Sequence, residues 1–309
     1  MSEPPDPSTH ILPPDRLEEI FRRRIMPDVR AQVASPAAKP GLVILAGQPG
    51  SGKSVLRPSL ERFFDHHGGA VGVSGDDFRP MHPHYEALLT GGDDLLMAQA
   101  TRQAAAWWTD RVINWSMGER YNVVWEDTLW NTERTLTTMQ AAKDHDYRTT
   151  LVVLAVPIVQ SRLGIVGRYV GQRELVGAGR WTSGDAHDPA PYERLAESLA
   201  AIEQTSTVDR VVVASRDEVI YDNDRPAAGS WIGGSPSEHL AAARERALPA
   251  HEQASLQRRL DDLIERIARL GIERNPPIER LIAAVNDDLV SLARRTRTRS
   301  IPPSDALER

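Results

Sequence analysis

The sequence has 309 residues, 40% of them apolar and 26% charged, with a formal net charge of −6. That length suits one large α/β domain with an appendage, or two small domains, and the acidic balance argues against a phosphate-backbone partner, so nucleic-acid binding is not expected. With no cysteine in the chain there is no disulfide framework or thiolate chemistry, and no apolar run approaches the roughly 20 residues that span a bilayer, so no membrane partner is expected.

Residues 1–14 are rich in proline, poor in apolar residues and aperiodic, and are expected to be disordered. This polar start lacks a basic-then-apolar leader pattern, so a cytoplasmic location is expected. From Asp15 to about Ala34, Leu17, Ile20, Phe21, Ile25 and Val29 recur at helical spacing, which predicts an amphipathic helix. Pro36 and Pro40 punctuate its end. The continuous apolar run Gly41 to Ala46 fits a strand of a parallel sheet covered on both faces.

Beyond it the pattern alternates. Helices are predicted over 54–64, 93–116, 132–143, 159–176 and 192–204, and strands over 70–73, 121–125, 150–156 and 210–214. Pro58 falls near the first turn of the first of these helices, where proline is tolerated. Regular alternation of this kind means βαβ units with right-handed crossovers and a mostly parallel sheet. The Gly- and Pro-rich stretch 224–236 marks a boundary. Residues 15–232 are therefore expected to form one α/β domain that includes the N-terminal helix, and 233–309 a helical C-terminal extension with helices over 237–248, 254–270 and from Pro276-Pro277 to about Thr296.

The first predicted strand runs directly into Gly47-Gln48-Pro49-Gly50-Ser51-Gly52-Lys53-Ser54, a full match to the phosphate-binding loop G-x-x-x-x-G-K-[ST], with a helix after it. Glycines let backbone N–H groups converge on phosphates at a helix N-terminus. Lys53 is expected to reach the β- and γ-phosphates of ATP, and the Ser54 hydroxyl to ligate Mg²⁺. The second strand ends in Ser74-Gly75-Asp76-Asp77-Phe78. Strands of a parallel sheet present their C-terminal ends to the ligand crevice, so Asp76 or Asp77 faces the P-loop, where a carboxylate can accept the proton of an attacking hydroxyl. The competing role is a helix N-cap. The third strand ends in Trp125-Glu126-Asp127-Thr128, an acidic position like the one that holds Mg²⁺ or its waters in P-loop proteins; a cap or turn role competes here too. Of the two acids Glu126 follows the strand directly. Arg162, Arg168, Arg173 and Arg180 come after the fourth strand, and arginines are needed to neutralise a phosphoryl group in flight. Arg162 and Arg173 read better as solvated helix-face charges. Gly177-Ala-Gly179 suggests a mobile lid.

The order of these motifs resembles the zeta toxin family of bacterial toxin–antitoxin systems, which are P-loop kinases. The resemblance runs from about Gly41 to Tyr221 and rests on ILAGQPGSGKS, GDDFRPMHP, NVVWEDT, LAVP and the spaced arginines of GRYVGQRELVGAGRWTSGDAHD. It implies a three-layer α/β P-loop kinase fold with Lys53, Asp76, Arg168 and Arg180 as catalytic residues. It also implies Asp76, Asp110, Glu126 and Thr128 as acceptor-binding residues, Asp110 being one methylene shorter than the family's usual Glu. The implied acceptor is UDP-N-acetylglucosamine, phosphorylated at the sugar 3′-hydroxyl, and the implied partner is a small helical antitoxin. One position departs from the pattern: the family often has an Arg two residues after the Thr, and this chain has Trp130. Two alternatives stand beside the toxin reading: a metabolic or detoxifying kinase with another acceptor, favoured by Trp130 and Asp110, and a nucleotide-binding regulatory or nucleic-acid module using the Arg-rich stretch 294–299.

Overall fold

The computed structural model describes residues 6–33, 35–91, 94–179, 189–227, 230–274 and 276–299. Its N-terminal helix comprises α1 (Pro14–Ile20) and α2 (Met26–Ala31), joined by a π-helical turn over Phe21–Ile25. Strand β1 (Gly41–Ala46) leads through the P-loop into α3 (Lys53–Arg62). Then follow β2 (Ala70–Ser74), α4 (Gly75–Phe78), α5 (Tyr85–Thr90), α6 (Asp94–Ala100), α7 (Arg102–Gly118), β3 (Asn122–Asp127), α8 (Thr132–Asp144) and β4 (Arg148–Leu154). The chain continues with α9 (Ile158–Val176), α10 (Pro189–Glu203), the hairpin of β5 (Arg210–Ala214) and β6 (Val219–Asp224), and three helices, α11 (Pro236–Glu245), α12 (Ala250–Arg269) and α13 (Pro276–Arg299).

The six strands form one sheet in the order β2-β3-β1-β4-β5-β6. The first five are parallel and β6 is antiparallel to β5. Strand β1 is central, and its side chains divide between two cores. Leu42, Ile44 and Ala46 join the core under α7, α8 and the N-terminal helix, while Val43 and Leu45 pack with Phe64 and, from α3, Leu56 and Leu60. That division explains the unbroken apolar run and makes the domain a three-layer α/β fold with a mostly parallel sheet.

Four features differ from the sequence expectation. Residues 6–14 are structured: Asp6 caps a short 3-10 turn over Pro7–His10 by accepting from Ser8 N, and Leu12 is buried. Local capping, the buried Leu12 and long-range hydrogen bonds to Gln103 and His82 fix this stretch despite its composition. The long helix expected over 93–116 is two helices broken at Thr101, whose buried hydroxyl donates to Met97 O and accepts from Arg79. Strand β6 was not expected; it is an edge strand with Tyr221 as its buried position. Arg162, expected in solvent, is largely buried and pairs with Asp288 of α13 at 2.7 Å.

The C-terminal helices pack in two places. Leu240 of α11 enters the main core. Helices α12 and α13 instead build a separate core on the outer side of α9, where Leu256, Leu260, Leu263 and Ile267 meet Val159, Leu163, Val166 and Val170. Each such side chain, fully buried, contributes about 1.5–3 kcal/mol, so α9 is held from both sides.

Candidate functional site

The P-loop conformation follows from its glycines. Gly50 and Gly52 have φ of 75° and 101°, in the left-handed region that favours glycine. A Cβ on Gly50 would lie 2.9 Å from Ile165 N and closer still to Ser161 O, so α9 backs directly onto the loop. Ser161 Oγ donates to Pro49 O at 2.5 Å. The Lys53 ammonium turns back on the loop, donating to Gly47 O at 2.5 Å and Gln48 O at 3.2 Å. Burial lowers its pKa to about 8, opposed by the nearby carboxylates of Glu126, Asp76 and Asp127. Ser51 Oγ is buried without a hydrogen-bond partner, and Ser54 is exposed at the first turn of α3. A polyanion beside Lys53 would favour its charged form, and the exposed Ser54 hydroxyl is free for a hard cation.

Around the loop stand the C-terminal ends of β2 and β3, in register at Ser74 and Glu126. The N-cap of α4 is Ser74, so Asp76 and Asp77 lie inside the first turn rather than at the cap position. Asp76 pairs with Arg79 at 3.0 Å and lies 4.0 Å from Arg168 of α9. Asp77 pairs instead with Arg57 of α3 at 2.6 Å, and the same Arg57 nitrogen lies 3.3 Å from Glu126 Oε1. Burial raises the Glu126 pKa, and Arg57 and then Lys53 hold it down. Both acids of β3 lie within the strand, but they differ in role. Asp127 accepts from Thr128 N at 2.8 Å and Thr135 Oγ1 at 3.1 Å, the bonds of a turn-stabilising group, whereas Glu126 turns to Lys53 and Arg57. The structure thus brings Lys53, Asp76, Glu126 and Arg168 together beside the P-loop. Thr128 follows directly, its amide bonded to Asp127. Arg180 lies outside the described residues.

Asp110, on α7, is half-exposed. It pairs with Arg134 at 2.6 Å in a groove of about 400 Å³ between α7 and α8, lined also by Asn114, Asn131, Thr137 and Thr138. Arg134 lies over the Trp125 ring, 5.0 Å from its centroid. Trp130 is 43% exposed.

Sequence reasoning missed three arginines. Arg57 is spaced i,i+4 from Glu61 and pairs with it, so in sequence it looks like a solvated helix-face charge. Arg216, in the β5–β6 turn, donates to Gly50 O at 3.1 Å and Ser51 O at 3.4 Å. Arg244 of α11 donates to the side chain of Gln48 at 3.0 Å. Neither of the last two has a sequence signal, because both reach the loop from elements distant along the chain.

The chain is 28% identical over 248 residues to toxin zeta of Streptococcus agalactiae, covering 79% of this chain and 81% of that protein. It is 27% identical over 191 residues to toxin PezT of Streptococcus pneumoniae serotype 4, covering 60% and 72%. A solved chain from the PezAT chromosomal toxin–antitoxin system of Streptococcus pneumoniae superposes with a TM-score of 0.68 at 20% identity, covering 85% of this chain and 100% of that one. A chain of the AvrRxo1-ORF1:-ORF2 complex does so with a TM-score of 0.50 at 15% identity, covering 91% and 90%. At these identities the structures speak to the fold alone. The zeta toxin family model matches residues 28–226, more than half of the chain and all of the P-loop, β2 and β3 site, and the chain belongs to the zeta toxin family.

Proposed function

We propose that the protein is an ATP-dependent kinase that phosphorylates a small-molecule hydroxyl, the 3′-hydroxyl of the sugar of UDP-N-acetylglucosamine, and that it acts as the toxin of a toxin–antitoxin pair in the cytoplasm. The observation that carries this reading is the convergence of Lys53, Asp76, Glu126 and Arg168 on one P-loop. The site fits a nucleotide and a hard cation: Gly50 and Gly52 supply the left-handed turns of the loop, Ser51 Oγ is an unused buried polar atom, and Ser54 and Glu126 offer oxygen ligands. No helix among the described residues is long and apolar enough to cross a membrane.

Bound there, ATP supplies the phosphoryl group and Mg²⁺ neutralises its oxygens. Residues 47–54 would hold the nucleotide, with Lys53 at its β- and γ-phosphates, and Ser54 and Glu126 would hold the cation. Asp76 accepts the proton of the acceptor hydroxyl. Arg168 and Arg180 pair with phosphate oxygens as charge redistributes, a task suited to a planar, permanently charged fork. Asp110, Glu126 and Thr128 contact the acceptor. The domain would run over 15–232 with 233–309 as a helical extension, and a small helical antitoxin would be the protein partner, as likeness to the PezAT system supports.

A second reading keeps the kinase and changes the acceptor. Trp130 stands exposed where the family often has Arg, and Asp110 is engaged by Arg134. ADP release measured with and without UDP-N-acetylglucosamine separates the two. Release that depends on this acceptor and vanishes in Lys53→Ala supports the first reading. Release only with other hydroxyl acceptors supports the second, and no acceptor-dependent release sinks both.

A further inference from the structure

Among the described residues, the Arg244 guanidinium is a buried cation without a counter-ion. It is 8% exposed, and among the described residues no carboxylate forms an ion pair with it. Its Nη1 donates to Tyr192 O at 2.7 Å, its Cζ lies 3.9 Å from the Tyr192 ring centroid, and among the described residues its Nε has no partner. Burial lowers its pKa to about 10. A charge kept in such a place costs free energy unless something near it uses the field.

What lies near it is the P-loop. Nη2 donates to Gln48 Oε1 at 3.0 Å, and Gln48 Nε2 donates to Val156 O at 2.8 Å, just past β4. The donor and acceptor ends of this buried amide are thereby both satisfied, and the side chain has one orientation. The main chain of the same residue is part of the phosphate cradle: Gln48 O accepts from Ser51 N and from the Lys53 ammonium. Two bonds therefore connect the last turn of α11 to the lysine of the loop. Helix α11 is itself fixed, with a capping box of Ser235 and Glu238, Leu240 in the core, and Ser237 donating twice to the buried Glu203 carboxylate.

We propose that Arg244 is a positioning residue of the nucleotide site, setting the P-loop through Gln48 and adding an unneutralised positive charge behind the phosphates, so that the site extends past the family-matched residues 28–226. This rests on the P-loop being a nucleotide site. The fold packs Arg244 where a low dielectric strengthens its field, and a bound polyphosphate is the counter-charge it lacks.

The test is ADP affinity of the full chain by isothermal titration calorimetry for wild type, Arg244→Met, Arg244→Lys, Gln48→Met and the Arg244→Met/Gln48→Met double variant. Loss of a hydrogen bond from a charged group is expected to weaken ADP binding by at least about tenfold in each methionine variant. Because both cut the same link, the double variant is expected to bind about as the weaker single one. Arg244→Lys should recover part of the loss, keeping charge but not the fork. A merely structural Arg244 would lower the melting temperature and leave ADP affinity unchanged in folded protein. Unchanged affinity in Arg244→Met, or additive losses in the double variant, overturns the proposal. If Arg244→Met does not fold, unchanged affinity in both Gln48→Met and Arg244→Lys overturns it equally. Wild type that fails to bind ADP refutes the nucleotide reading as well, whereas wild-type binding with insensitive variants refutes this proposal alone.

Discussion

Two alanine substitutions on one helix test how closely α9 supports the P-loop. Gly164 and Gly171 both lie inside α9, where replacing glycine by alanine ordinarily stabilises by about 0.5–1 kcal/mol. At Gly171 an added Cβ meets nothing within 4 Å, so Gly171→Ala should show that gain. At Gly164 the same atom lies 2.9 Å from both the Cα and the carbonyl carbon of Gly50, and closer still to the Gly50 oxygen. Those are backbone atoms on a loop already held by Ser161, so no side chain can rotate aside. Overpacking of this kind costs about 1–3 kcal/mol. Since the propensity gain is common to both variants, Gly164→Ala should be less stable than Gly171→Ala by about 1–3 kcal/mol in urea unfolding. If the loop relieves the clash by shifting, part of that difference moves into weaker ADP binding, read by calorimetry. A Gly164→Ala protein as stable as Gly171→Ala, with wild-type ADP affinity, would refute the close packing of helix and loop.

Four further outcomes are expected. Lys53→Ala should lower turnover by at least about 10²-fold with the fold intact by circular dichroism; more than about a tenth of wild-type turnover would remove Lys53 from the mechanism. Asp76→Asn should reduce kcat far more than it changes ATP affinity, and a collapse of ATP binding instead would make Asp76 a cation or structural residue, leaving Asp77 or Glu126 as the base. Arg168→Ala and Arg180→Ala should each lower kcat more than they raise KM for ATP, near-wild-type kcat in both being the contrary result. His82 is buried, with Nε2 bonded to His10 O and Nδ1 accepting from His84 N, a neutral tautomer whose pKa burial lowers below the ordinary imidazole value of 6.5. Protons then bind the unfolded state preferentially, so stability should fall as pH drops through about 6.5, and urea unfolding of His82→Gln should show a shallower fall; an equal slope in both proteins excludes His82 as the source.

The parts of this molecule that were legible in the sequence are those specified locally. Residues 47–54 carry their own geometry in Gly50 and Gly52, and β1 shows its burial on both faces as an unbroken apolar run. The acids at the ends of β2 and β3 were legible because a parallel sheet brings strand ends together wherever the chain crosses over. What escaped depends on partners far along the chain. The break at Thr101 is made by Arg79, 22 residues away, and not by a glycine or proline. The β5–β6 turn, Ser215 to Glu218, is held by Ser215 hydrogen bonds and carries no Asn-Gly or Gly signal. Arg244 is separated from Gln48 by 196 residues, and nothing about an arginine in the last turn of a helix distinguishes one that faces water from one that faces a loop. Asp110 shows the reverse limit, since a motif position can be located while its neighbour, here Arg134, decides what it touches.

The double packing of α9 has a consequence for the time course of synthesis. The helix that backs the P-loop on one side presents Val159, Leu163, Val166 and Val170 on the other, and their cover comes from α12 and α13. A chain emerging from the ribosome at about 5–20 residues per second completes the sheet and the P-loop before those helices exist, and for an interval on the order of seconds α9 has one face packed and one bare. Arg162 likewise waits for Asp288. The phosphate-binding loop therefore reaches its final rigidity among the last events of folding, after the strands that define its position are already in place.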